Sequence, residues 1–485
     1  MKILLVNPPL SLEARYGSKM KKFGAISEPM GLAYIASFLE KKGYLVRILD
    51  AAVLGMSLKD VEQFLKDDYF DIIGVTMLTP AYSAALNIFK IIKKVSPRTV
   101  TVCGGPHPTA LPKETLEEIK ELDIVCTGEG EHTMYEIVEF LEENKDFSKI
   151  KGIAFRQDDK IVINAPRLYE KNLDNFPIPA RHLLPVDKYS LTASRTSGGR
   201  YCPTVIVARG CPFRCAFCYR IFGSTFRHHS IERIIEELKL LINKYQASQV
   251  NLEADTISLN KKFLIGLCDA IISNRINKKI KWTCESRVDA MDEDVLKKMK
   301  EAACWQISYG VESGVQRLLD IILKGIRLEQ IERIFKLTKK HRISIRSFFM
   351  LGLPTETREE SYQTIEFSKK LNADWAQFTL TIPYPGTYLY SLVKDSEDLK
   401  NRNWDEYNTW GGWKGGRLPY VTKGRTEEEL RELQKIAFYR FYMRPKIFFR
   451  FLRKSLSSFS EFRKILSGFL TLLTIKRKGR SFKKT

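Results

Sequence analysis

At 485 residues, with 44% apolar residues, nine cysteines and a formal net charge of +22, the chain is a folded protein too long for one core. Those values exclude a disordered chain, a disulfide scaffold and a single small domain, and the cysteine usage suits a reducing compartment. The charge is uneven, because residues 441–485 hold thirteen Lys and Arg against one acid, Glu461, which makes anionic membrane and nucleic acid the partners to weigh.

Lys2–Val6 opens the chain as a short buried strand stopped by Pro8-Pro9. No secretory signal is visible, so a cytoplasmic protein is expected. β-Branched runs at Leu45–Leu49, Ile72–Thr76, Val100–Cys103 and Ile124–Cys126 alternate with amphipathic helices at Leu32–Lys42, Leu58–Lys66, Ala81–Lys94 and Lys113–Glu121. This alternation predicts an α/β domain over residues 1–144, a doubly wound parallel sheet with ligands at the carboxyl ends of its strands. Asp50 to Gly55, Thr76 to Leu78, Gly104-Gly105-Pro106-His107 and Gly128-Glu129-Gly130-Glu131 stand there. Residues 145–200 read as a connector, a hairpin of Gly152–Arg156 and Lys160–Asn164 followed by a proline-punctuated linker at Phe176-Pro177-Ile178-Pro179-Ala180.

Alternation resumes over residues 201–395. Strands are predicted at Thr204–Ala208, Gln249–Glu253, Lys281–Glu285, Gln306–Gly310, Ser344–Leu351 and Trp375–Thr381. Helices are predicted at Ile231–Tyr245, Lys262–Ser273, Glu293–Glu301, Val315–Ile322, Leu328–Lys340 and Arg358–Leu371. Six units make a partial (βα)6 TIM-type barrel, with its active site where strands end. Residues 396–485 read as a helical, basic, amphipathic region that includes a helix over Thr426–Tyr442. Its longest nearly apolar stretch, Ile465–Ile475, is well short of the roughly twenty residues that span a bilayer. A helix lying in the membrane interface, with roughly 1 kcal/mol from each basic residue, suits it better.

Directly after the first barrel strand, Cys211, Cys215 and Cys218 form a C-x3-C-x2-C run. Three thiolates at this spacing can hold three irons of a [4Fe–4S] cluster and leave the fourth open to a substrate or cofactor. A structural zinc site is the bland alternative, but it needs four ligands, usually in two spaced pairs, and no second C-x2-C exists. Cys103, Cys126, Cys268, Cys284 and Cys304 read as small buried residues. His107 and His132 read as satisfied surface or capping histidines, and His228 and His229 as loop residues before a helix capped by Ser230.

The cysteine run and the strand ends behind it resemble the radical S-adenosylmethionine (SAM) enzymes, and among them the group with an N-terminal cobalamin-binding domain. The resemblance implies that the cysteines ligate the cluster, that SAM occupies the open iron, and that its reductive cleavage yields a 5′-deoxyadenosyl radical. It also implies that Phe217 lies near the adenine. The other expected SAM contacts are Glu253 and Asp255, Glu285 and Arg287, and Glu312 and Ser313; Gly352-Leu353-Pro354-Thr355-Glu356-Thr357 resembles a further family turn. The first 144 residues resemble the Rossmann-like cobalamin fold, with Asp50, Gly55, Thr76, Leu78, Gly104, Gly105, Gly128 and Glu129 as the expected contacts. Ala52 stands where a cobalt-ligating histidine would be, which fits both cobalamin bound without that ligand and an empty scaffold.

The function implied is cobalamin-dependent methyl transfer to an unactivated carbon of a small-molecule, hydrophobic or lipid-like substrate. An electron donor such as flavodoxin or ferredoxin is implied as a partner, with peripheral membrane contact through the basic tail. The runner-up keeps the radical without methyl transfer, as in an oxidative cyclase or a carbon–carbon bond-forming enzyme. An RNA-modifying methylthiotransferase would need a second three-cysteine cluster in the first 200 residues, which offer only Cys103 and Cys126, so nucleic acid is disfavoured. A sensor whose cluster only reports has no need of the SAM contacts.

Overall fold

A computed structural model describes residues 1–450 apart from 19, 22, 23, 144, 158, 159, 190–193, 195–200, 448 and 449. The hairpin tip Asp158-Asp159 and the amphipathic stretch from Phe451 onward lie outside the described residues. In the first domain, β1 (Lys2–Asn7), β2 (Leu45–Asp50), β3 (Ile72–Thr76), β4 (Val100–Gly104) and β5 (Ile124–Cys126) are parallel. Helices cover both faces of the sheet, so β1 is apolar along its interior, as a strand buried on two sides must be.

β6 (Ile153–Gln157) and β7 (Lys160–Ile163) complete a seven-stranded sheet in the order β2-β1-β3-β4-β5-β6-β7. The hairpin expected as part of a connector thus belongs to the first domain. Ile124 pairs with Phe155 and Cys126 with Ile153, antiparallel. Left free, the hairpin would expose Ile153, Ala154 and Phe155; against β5 they are buried.

The second domain begins with β8 (Thr204–Ile206) and a small antiparallel ladder of β9 (Ala208–Arg209) with β10 (Arg227–His228). β11 (Gln249–Glu253), β12 (Lys281–Ser286), β13 (Cys304–Glu312), β14 (Ser344–Leu351) and β15 (Trp375–Leu380) follow. The order β15-β14-β13-β12-β11-β8 is parallel throughout, and among the described residues no pairing joins β15 to β8, so the described strands form a partial barrel. Local chemistry sets the helix starts: Ser230 caps Ile231–Tyr245 as expected, and Thr357 with Glu360 forms a capping box on Arg358–Leu371.

One face of this sheet packs Val250, Leu252, Cys284, Ile307 and Tyr309 under helices. The alternate residues Asn251, Thr283, Glu285, Gln306 and Ser308 line a polar cavity, joined there by Glu28, Tyr189 and Cys202. Beyond β15 the chain returns to the first domain, where Ile382, Tyr390, Trp404 and Tyr407 enter its core. Helix Glu427–Tyr442 then covers β15, with Gln434 Nε2 donating to the carbonyls of Phe378 and Thr409 at 2.9 Å each. The C-terminal region up to this helix is therefore a seam between the domains rather than an appendage. Among the described residues no helix is long and apolar enough to cross a membrane.

Candidate active site

The cysteine loop leaves the β9–β10 ladder and is shaped by its backbone. Gly210 sits at φ +91°, where a Cβ would meet the Thr225 carbonyl oxygen at 2.1 Å, so only glycine fits. Its N–H donates to the Asp255 carboxylate at 2.6 Å, the Cys211 N–H to Gly223 O at 3.1 Å and the Ala216 N–H to Ile322 O at 2.8 Å. Burial pushes the Cys211 thiol up. Cys218 stands at the exposed mouth, yet the protein around its sulfur pushes its thiol up to about 11, with Cys215, Asp255 and Cys211 adding to the effect. Among the described residues no three His, Cys, Asp or Glu side chains are gathered closely enough for a single ion.

Two buried cations back the loop. Arg287 donates from Nη1 to Cys215 Sγ at 3.4 Å and to Asp289 from Nε and Nη2 at 2.9 and 2.8 Å; its guanidinium lies 3.6 Å from the Phe213 ring centroid. Lys324 pairs with Glu312 at 2.8 Å and lies 5.5 Å from the centre of the Phe217 ring. Each cation carries a carboxylate partner, so two ion pairs back the loop, and three cysteines with an N–H donor at Cys215 form a donor set that fits an iron–sulfur cluster.

The strand-end residues fall into two groups. Glu253 and Asp255 are exposed on the lip beside the loop, and Glu285 faces the polar cavity. Glu312 reaches Lys324 from a left-handed backbone at φ +64°. Ser313, expected as a SAM contact, is fully buried; its hydroxyl meets Thr364 Oγ1 at 3.1 Å and accepts the Val315 N–H, so it fixes the turn after β13. Arg287 is likewise committed to Asp289 and Cys215, which leaves no free two-pronged fork for a carboxylate.

In the first domain the strand order reverses at β1, and the β1/β3 crevice is where such sheets bind ligands. Thr76 and the exposed Leu78 stand on its rim. Gly104-Gly105 runs beside them, with Gly105 at φ +112° and a would-be Cβ 2.8 Å from Met77 O. Gly55 and Gly128 have φ +66° and +73°, and a Cβ on Gly55 would meet nothing. This glycine-lined edge fits a bulky planar ligand. Asp50 is buried and accepts from Asn7 Nδ2 at 2.8 Å, Tyr189 OH at 2.7 Å and the Val53 N–H at 3.2 Å, so it braces the crevice from behind.

Glu129, expected as a cobalamin contact, sits in a buried ion-pair network. Helix Gly130–Glu142, which lacked a sequence prediction, starts directly after it. Its carboxylate lies 3.0 Å from Arg209 and 3.0 Å from Arg227, the two residues at the neck of the cysteine loop, and Arg209 also holds Glu131 at 2.6 Å. The arrangement is a buried two-plus, two-minus joint between the domains. His107 packs between Tyr82 and Trp404, and burial lowers its pKa to about 4, so it is a neutral core histidine rather than the surface or capping residue expected. Arg209, adjacent to Gly210 and Cys211, could have been singled out from the run itself. Lys324, Asp289 and Arg227 carried no such signal, because only folding brings them to the loop.

A cysteine loop of this spacing, backed by cations at the strand ends of a partial barrel and joined to a doubly wound domain, defines the radical SAM class. The comparisons agree. The B12 binding domain model matches residues 20–138 and the Radical SAM superfamily model residues 205–368. An uncharacterized methyltransferase of Pyrococcus horikoshii is 37% identical, over 92% of this chain and 94% of its own. The anaerobic magnesium-protoporphyrin IX monomethyl ester cyclase of Cereibacter sphaeroides is 26% identical over 92% of this chain and 71% of its own. In structure, the radical SAM methyltransferase TsrM of Kitasatospora setae, solved with cobalamin and a [4Fe–4S] cluster, superposes with a TM-score of 0.69 at 16% identity, covering 92% of this chain and 89% of its own.

The chain belongs to the radical SAM enzymes that carry an N-terminal cobalamin-binding domain. It is an enzyme whose cofactors are a [4Fe–4S] cluster, SAM and cobalamin.

Proposed function

We propose that this enzyme methylates an unactivated carbon of a small-molecule substrate, with cobalamin as methyl carrier. The observation that carries the reading is the domain joint. Glu129, beside the cobalamin crevice, grips both ends of the cysteine loop, so a methyl carrier and a radical source would be held at a set separation. When bound, the cluster and SAM supply a hydrogen-abstracting radical and cobalamin supplies the methyl group. The chain's own residues bind and orient. Cys211, Cys215 and Cys218 hold the cluster, and Phe217 above Lys324 offers a flat face for adenine. Glu253, Asp255 and Glu285 would be the acids that meet the SAM amino group, while Thr76, Leu78, Gly104 and Gly105 would line the corrin crevice.

Two finer elements belong to this reading. The basic, phenylalanine-rich sequence after Arg450 supports a lipid-like substrate met at an anionic membrane surface, and a flavodoxin or ferredoxin would be the electron donor. Deleting residues 451–485 spares the buried Ile447 and the Arg450–Asp374 pair at 2.9 Å, and should abolish binding to anionic vesicles. Equal binding by the truncated protein removes the membrane element.

The main test is anaerobic incubation with SAM, a reductant and a cell extract as substrate source. 5′-Deoxyadenosine is expected from the wild type and absent from Cys215→Ala, with label from methyl-labelled SAM appearing in a product. Deoxyadenosine without transferred label would replace methyl transfer by cyclisation or coupling.

A further inference from the structure

We propose that Arg287 is a positioning residue that sets the redox poise of the cluster through Cys215, an inference that rests on the radical SAM reading above. Four contacts hold its guanidinium. Nε and Nη2 donate to the two carboxylate oxygens of Asp289 at 2.9 and 2.8 Å, Nη2 donates to Lys324 O at 2.6 Å, and the Phe213 ring covers one face. The remaining arm, Nη1, is aimed at Cys215 Sγ at 3.4 Å.

The residue is buried, so the bond acts where water does not screen it. Asp289, being bidentate, removes the rotational freedom that a lone arginine would have and fixes the direction of Nη1. An N–H bond to a ligating sulfur, from a guanidinium whose charge Asp289 partly offsets, would stabilise the reduced cluster more than the oxidised one. It therefore raises the potential and eases entry of the electron. An arginine serving the SAM carboxylate would present its paired N–H edge to the open iron. Here that edge faces Asp289, and the sulfur is the contact that remains.

The test uses the full chain, reconstituted anaerobically with iron and sulfide and titrated potentiometrically with the reduced cluster read by its electron spin resonance. In Arg287→Met the one-electron reduction should become roughly tenfold less favourable, a shift of about 59 mV to lower potential. Arg287→Lys keeps the charge and should recover part of it. Asp289→Asn leaves the arginine in place but removes the carboxylate charge that offsets it, and should move the potential the opposite way, upward. This variant decides the matter if Arg287→Met loads no cluster. Wild-type potentials in loaded Arg287→Met and Asp289→Asn would overturn the proposal, whatever happens to their melting temperatures. A wild-type chain that takes up no cluster would instead overturn the radical SAM reading itself.

Discussion

Glu129 makes the sharpest demand on the structure. Its carboxylate, 6% exposed, lies between Arg209 and Arg227, which are 3% and 6% exposed, and Glu131 completes a neutral quartet. Glu129→Ala leaves an excess positive charge buried at the neck of the cysteine loop. Removing one partner of such a pair costs about 3–5 kcal/mol. Arg209 keeps Glu131 at 2.6 Å, and Arg227 keeps the carbonyls of Glu170 and Phe222 at 2.6 and 2.9 Å, which favours the lower end. At about 3 kcal/mol the melting temperature should fall by about 6–12 °C, taking about 2–4 °C per kcal/mol for large domains. The assay is thermal denaturation of the cluster-free protein, with limited proteolysis of the linker between Ile163 and Thr204 and iron content after reconstitution. Faster cleavage and reduced iron should accompany the lower melting point. A drop below about 2 °C, with cleavage and iron unchanged, would refute the view that this joint ties the domains to the loop.

Three further outcomes follow from single groups. Gly210→Ala must place a methyl against the Thr225 carbonyl at a positive φ, so the loop should distort and iron uptake fall to the level of Cys215→Ala, measured by iron content. Cluster loading should rise between pH 7 and 9, because ligation needs thiolates while burial holds the thiols of Cys211 and Cys218 up, the latter to about 11; loading that is flat or falls with pH would contradict this. Glu356, buried and accepting from Ser361 Oγ and the Leu353 N–H at 2.6 Å each, is pushed up to about 7 by burial. Its folded form holds a proton that the unfolded chain releases near 4.5, so the stability it contributes is present below that pH and is lost as pH rises to 7, by on the order of 3 kcal/mol. Chemical denaturation of Glu356→Gln should lack this slope.

Much of the scaffold was legible because its signals are local. Periodicity placed β3, β5, β11 and β14 and helices Ile231–Tyr245, Glu293–Glu301 and Leu328–Lys340 at their observed bounds. Helix Gly130–Glu142 escaped because its first turn, Gly-Glu-His-Thr, looks like a strand-end loop until the packing of Met134, Ile137 and Val138 is known. The hairpin's membership of the first sheet escaped because pairing to β5 is a long-range choice that leaves no mark on either strand.

The chemistry divides along the same line. Spacing within eight residues marked Cys211, Cys215 and Cys218 as cluster-ligand candidates, and the resemblance of the strand-end motifs to the radical SAM family implied SAM as their companion, since both signals are written in contiguous chain. Tertiary structure alone decided what each polar side chain faces. It turned Ser313 inward to Thr364, committed Asp50 to Asn7 and Tyr189, paired Glu129 with Arg209 and Arg227 at the domain joint, and brought Arg287 to Cys215 and Lys324 to Glu312. A charged or hydroxyl group must find its partner wherever the fold leaves one, because leaving it buried and unpaired costs several kcal/mol. That partner is a property of distance in space, which a linear pattern does not record.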